Sequence, residues 1–209
     1  MFNTIELLAM ILTNVTISDE GQKHVIGDIK KRGLILDNLF GMFCYFLKSG
    51  SFDFMANVFA NVTAIKEGRD VVIEQSWLPK IIDMLRWNKV SLHRRKHLIE
   101  CVRNVAFGYE AYEAKFKELN LIRELAFILA SEEGLVEGLP AEVAVFKASK
   151  KPLEVSKVNV KNIVDTFILL SNSENLMKEI ADLNLDLLLD RLDVNGKSDL
   201  ETQAAVLIS

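Results

Sequence analysis

His93, His97 and Cys101 fall at i, i+4 and i+8 along one stretch of chain, the spacing that stacks three side chains on one face of a helix. Histidines four residues apart can share a zinc ion. Cys101, however, belongs to an apolar stripe with Leu98 and Val105, and Arg94, Arg95 and Lys96 would set positive charge beside the cation. No fourth ligand stands nearby, so the residues read as a buried cysteine beside two surface histidines, with no metal. Three histidines in the chain leave few groups for acid–base or nucleophilic work. No GxxxxGK(S/T) phosphate loop, GxGxxG turn, GxSxG elbow, HExxH pair or CxxC pair occurs. The chain reads as non-enzymatic, with no cofactor.

Asparagine carries the more regular signal. Asn14, Asn61 and Asn104 stand at equivalent places in three similar segments, and Asn57 and Glu100 lie one turn before the second and third of them. An amide both donates and accepts, so a row of them can hold an extended peptide backbone without reading its side chains. Asn57, Asn61, Lys96, Glu100 and Asn104 are the candidate protein-binding groove. Each repeated asparagine has a second reading, as a cap on the turn that leaves its own helix, and for Asn14 the cap is favoured. Arg86, Lys89, Arg94, Arg95 and Arg103, with His93, Lys96 and His97, form a candidate basic patch. A nucleic-acid surface interleaves such cations with aromatics, whereas Trp87 is the single large aromatic nearby and the net charge is −4. An acidic segment of a protein fits the patch better. The alternative is a nuclear-transport-type or RNA-binding repeat protein using residues 93–97, and a solvated charged face is the bland reading.

The elements that would position these residues are helices. The 209 residues are 50% apolar with three prolines, and apolar side chains recur at three and four, as in Ile5-Leu8-Ile11-Leu12-Val15. The segment Ile11 to Thr16, followed by Glu20-Gly21-Gln22, returns as Phe59 to Thr63 with Glu67-Gly68-Arg69, and again as Val102 to Ala106. A period in the forties in an all-helical chain marks an armadillo- or HEAT-like solenoid. The fold class is all-α, a right-handed solenoid of about four repeats forming one domain over residues 1–209. In the best-defined repeat the spacing predicts a first helix over Gly68–Gln75 and a second over Leu78–Leu85. A third helix runs from Ser91, its N-cap, to Phe107 and lines the concave face. Gly21 and Gly68 read as turn residues. The preceding repeat spans about Gly21 to Thr63, the following one Ala111 to Ser171, and a last partial one starts near Glu174, its third helix beginning at Ser198. The first and last repeats are incomplete, so a fragment, a short form, or a chain paired through its open ends is expected. About 131–157 an insertion, acidic and then basic, reads as an interaction loop or a solvated excursion. The longest uncharged run, Leu39 to Leu47, is too short to cross a bilayer. With no secretory start and two isolated cysteines, the cytoplasm is the expected location, the nucleus remaining open.

Asn61-Val62-Thr63 with Glu67-Gly68-Arg69, His93-Arg94-Arg95 leading into Val102-Arg103-Asn104-Val105-Ala106-Phe107, and Glu137-Gly138-Leu139-Pro140 resemble the brain-protein-sixteen-like family of eukaryotic armadillo proteins. The likeness runs from about Asn57 to Ile208. It implies an adaptor for the folding of translation elongation factor two, linking it to the cytosolic chaperonin and Hsp90. The family chain is longer on its N-terminal side. Its acidic stretch is reduced here to Glu132, Glu133 and Glu137, and Val105-Ala106 replace its cysteines, departures that bear on client affinity more than on fold.

Overall fold

The structure is a computed structural model that describes residues 4–27, 33–47, 50–86, 90–130 and 156–183. Nearly all of the expected insertion, the third helix from Ser198, Trp87 and Lys89 lie outside the described residues. Among the described residues every regular element is helical. The chain divides into two compact units, residues 1–108 and residues 109–209.

In the first unit α1 (Thr4–Val15) is followed by two three-helix repeats. One comprises α2 (Asp19–Ile26), α3 (Leu34–Tyr45), a 3-10 turn (Gly50–Phe52) and α4 (Met55–Val62). The next comprises α5 (Lys66–Glu74), α6 (Trp77–Arg86) and α7 (Leu92–Ala106). The expected helices over 68–75, 78–85 and 91–107 thus appear with shifts of one or two residues at their ends. Ser91 caps α7 as expected, its hydroxyl accepting from the Arg94 N–H at 3.2 Å, and Ser18 caps α2 through the Gly21 N–H at 3.1 Å.

A left-handed residue stands immediately before each second helix: Gly33 (φ 74) before α3 and Ser76 (φ 55) before α6. That single conformation folds the second helix back on the first. Gly21 and Gly68 are not turn residues, as the sequence suggested, but lie inside α2 and α5. A Cβ on Gly21 would sit 1.8 Å from the Val15 carbonyl oxygen, and one on Gly68 would sit 1.8 Å from that of Val62. Glycine is needed because the first helix of a repeat crosses directly over the last carbonyls of the preceding third helix.

The core of this unit is aromatic. Trp77 stacks on Phe40 with ring centroids 4.4 Å apart, meets Phe59 edge-on, and donates its Nε1–H to Asp37 Oδ1 at 2.8 Å. All three rings are fully buried, which for side chains of this size stabilises by about 2–3 kcal/mol each. They tie α3 and α4 of one repeat to α6 of the next.

The second unit contains α8 (Tyr109–Glu118), α9 (Leu121–Ala130), α10 (Lys157–Leu170) and α11 (Glu174–Asp182). Asn120 (φ 50) precedes α9 and repeats the left-handed hinge. Glu113 on α8 accepts from Ser173 Oγ at 2.6 Å and Asn175 Nδ2 at 2.8 Å, fastening the start of α11. These two donors hold the Glu113 carboxyl below the usual carboxylate range.

Candidate protein-binding face on the third helices

α1, α4 and α7 are the third helices of successive repeats, with α4 packed against both of the others. The repeated asparagines fall at these contacts. Asn61 Nδ2 donates to the Thr13 carbonyl at 3.3 Å and to Thr16 Oγ1 at 3.1 Å. One repeat later, Asn104 Nδ2 donates to the Ala60 carbonyl at 3.0 Å and to Thr63 Oγ1 at 3.3 Å. Thr16 and Thr63 in turn donate to carbonyls in the last turns of α1 and α4. Each amide therefore caps the end of the preceding third helix, a role that neither the groove reading nor the own-turn reading foresaw. The threonines were the missed partners, and the recurrence of Asn-x-Thr at both places was their signal.

Two members of the basic patch are not on the surface. Arg94 is 0% exposed and Arg95 1%. The Arg94 guanidinium lies 4.5 Å from the Phe43 ring centroid and donates to the Phe43 and Phe46 carbonyls and to Asp53 Oδ1 at 2.6 Å. It thereby caps the C-terminal end of α3, where the helix dipole is negative. Arg95 Nη1 does the same for α6 through the Leu85 carbonyl. The expected patch of Arg86, Lys89, Arg94, Arg95 and Arg103 is corrected accordingly. Its arginines at 94 and 95 are internal clamps, Lys89 is outside the described residues, and Arg86 and Arg103 are half-buried.

A chain of contacts does connect Asn57, Lys96 and Glu100. Asn57 Oδ1 meets His93 Nε2, His93 lies 4.7 Å from His97 between ring centroids, and His97 Nδ1 meets Glu100 Oε2 at 2.7 Å. Lys96 Nζ stands 3.9 Å from Glu100 Oε1. Phe54, which the sequence reading passed over, packs edge-on against His93. Burial and the neighbouring His97 lower the His93 pKa, so that ring is neutral near pH 7. Burial alone would raise Glu100, but the hydrogen bond and charge of His97, with Lys96 and Arg103, hold it below the usual range. Cys101 is fully buried and its thiol is pushed up to about 12 by desolvation, with Thr63 opposing. Among the described residues no group of three or more His, Cys, Asp or Glu side chains could hold a metal ion. His93, His97 and Cys101 thus do not converge, since the thiol points into the core. No helix among the described residues is long and apolar enough to cross a membrane.

The helices, their repeat and the paired polar row together define an armadillo-type helical repeat protein. Residues 3–160 match the family described as "Domain of unknown function (DUF383)", and the chain belongs to that family. It is similar in structure to computationally designed armadillo repeat proteins for modular peptide recognition, with a TM-score of 0.70 at 15% identity over 98% of this chain and 74% of that one. A designed armadillo repeat protein in complex with the peptide (KR)4 aligns at a TM-score of 0.57, with 13% identity over 96% of this chain and 90% of that one. Another designed armadillo repeat protein gives 0.56, with 15% identity over 97% and 91%. No curated protein matches the chain.

Proposed function

We propose that this chain is a non-enzymatic scaffold that holds a segment of a partner protein against α4 and α7. The observation that carries this reading is the linked polar row from Asn57 through His93 and His97 to Glu100 and Lys96. Its side chains are fixed by one another at the surface, so they meet a ligand with little entropy left to lose. Structural neighbours of the same fold, one made for modular peptide recognition and another in complex with a peptide, support a peptide as the ligand. Asn61 and Asn104 contribute by keeping the helices in register rather than by touching it.

For the partner, the resemblance to the brain-protein-sixteen-like family favours translation elongation factor two, delivered with the cytosolic chaperonin and Hsp90 in the cytoplasm. Affinity purification of the tagged protein from a eukaryotic lysate, with the bound proteins identified, tests this. Recovery of elongation factor two with chaperonin subunits, lost on replacing Asn57, Lys96 and Glu100 together by alanine, is the expected result. Recovery unaffected by the triple substitution would place the partner elsewhere. The nucleic-acid alternative is disfavoured because Arg94 and Arg95 are engaged within the core.

A further inference from the structure

Resting on the scaffold reading, we infer that the bound segment is held by its main chain: Asn57 Nδ2 donates to a backbone carbonyl of the ligand, and His93 is the positioning residue that keeps this amide nitrogen free. Of the three asparagines on α4 and α7, Asn61 and Asn104 spend their Nδ2 donors on the end of the preceding third helix. Asn57 instead has its oxygen engaged, by His93 Nε2, and among the described residues its Nδ2 has no hydrogen-bond partner. An amide oxygen can only accept, so His93 Nε2 carries the proton. In the neutral ring Nδ1 is then a bare acceptor. Both residues are half-buried rather than sealed, so a ligand can reach them.

A donor beside an acceptor is the complement of a peptide main chain, in which an extended residue turns its own C=O and N–H to the same side. The charges around the pair are answered within the protein. Lys96 and His97 face Glu100, the buried Arg94 holds Asp53, and the Arg103 guanidinium lies 5.7 Å from the Phe107 ring centroid. What Asn57 and His93 offer is therefore uncharged. It suits an extended segment that keeps its amides, and the charge of that segment's side chains matters little.

Two measurements on the full chain test the inference. By nitrogen NMR of the imidazole rings His93 should be the Nε2–H tautomer. The Nδ1–H tautomer would overturn the inference, since Asn57 Nδ2 would then be donating to the ring. Fluorescence anisotropy compares labelled peptides of equal length that alternate leucine with serine, glutamate or lysine, and a serine peptide whose central amides are replaced by esters, which lack the N–H and accept poorly. The three amide peptides should bind within about threefold of one another and the ester peptide about tenfold more weakly. Asn57→Asp keeps an oxygen for His93 but has no N–H to give, and should erase the preference for amide over ester. His93→Leu should erase it too, whereas His93→Gln, whose amide can still donate to Asn57, should retain it; an unchanged circular dichroism spectrum checks the fold. A preference that survives His93→Leu would overturn the positioning role. Equal binding of amide and ester peptides, or selection by charge of about tenfold, would overturn main-chain recognition while leaving the scaffold reading standing. Binding of none of the peptides would overturn both.

Discussion

Asn104 and Asn57 are both half-buried asparagines on third helices, yet their bonds give them different work. Asn104 ties α7 to the end of α4, whereas Asn57 bonds His93 within the exposed row. Asn104→Ala should lower stability by about 1–2 kcal/mol, since two acceptors lose their donor. Asn57→Ala should change it by less than about 0.5 kcal/mol and weaken partner binding instead. Urea denaturation of the two variants separates these roles. His93 gives a pH signature. Its folded pKa lies below the ordinary 6.5, so the unfolded chain takes up the proton first and stability falls as pH drops through 6.5 toward the folded value. Phe54, Asn57, His97, Lys96, Asp53 and Glu100 surround that ring. The denaturation midpoint should fall between about pH 7.5 and about 5.5, and less so in His93→Gln. The burial of Arg94 and Arg95 was legible from phase: Arg94 has Leu98 and Cys101, and Arg95 has Ile99 and Val102, at i+4 and i+7. Residue type suggested solvent, but phase decides which side chains face the core. A guanidinium can follow phase only because helix-end carbonyls and Asp53 await it there, and those partners are remote in sequence.

At the scale of the element, the repeat made the three-helix pattern and most helix ends readable, because apolar spacing and serine caps are local signals. What stayed hidden was how closely neighbouring helices approach. Gly68 looks like a turn residue in isolation, whereas it is a helical position with no room for a methyl group. At an open helix site Gly→Ala stabilises by about 1 kcal/mol. Here a Cβ would lie 1.8 Å from the Val62 oxygen, so Gly68→Ala should destabilise by about 2 kcal/mol or more. Thermal unfolding checks the sign, and a stabilised variant would show that α5 does not cross α4 so closely. The same closeness explains the asparagine ladder. Only when one third helix ends beside the last turn of the next can an amide reach the carbonyls at the end of its predecessor. In the third copy the asparagine persists as Asn104, whereas Ala106 stands where Thr16 and Thr63 stand in the earlier repeats.

For the molecule as a whole, the repeat shows what each third helix needs. On α4 Met55, Val58 and Val62 are buried, while their counterparts on α1, Leu8, Ile11 and Val15, are 56%, 57% and 41% exposed. We propose that this stripe supports pairing between copies. Leu8→Asn/Ile11→Asn should then leave the helix content unchanged and abolish concentration-dependent association in sedimentation velocity, whereas association unaffected by the double substitution would exclude α1 as the contact. Binding through α4 and α7 is the central claim, and site-specific photo-crosslinking tests it most directly. A photoreactive side chain placed at position 57 or 100 should capture the partner, while one at the exposed Gln75, between α5 and α6, should not. Adducts from position 75 but from neither 57 nor 100 would contradict it.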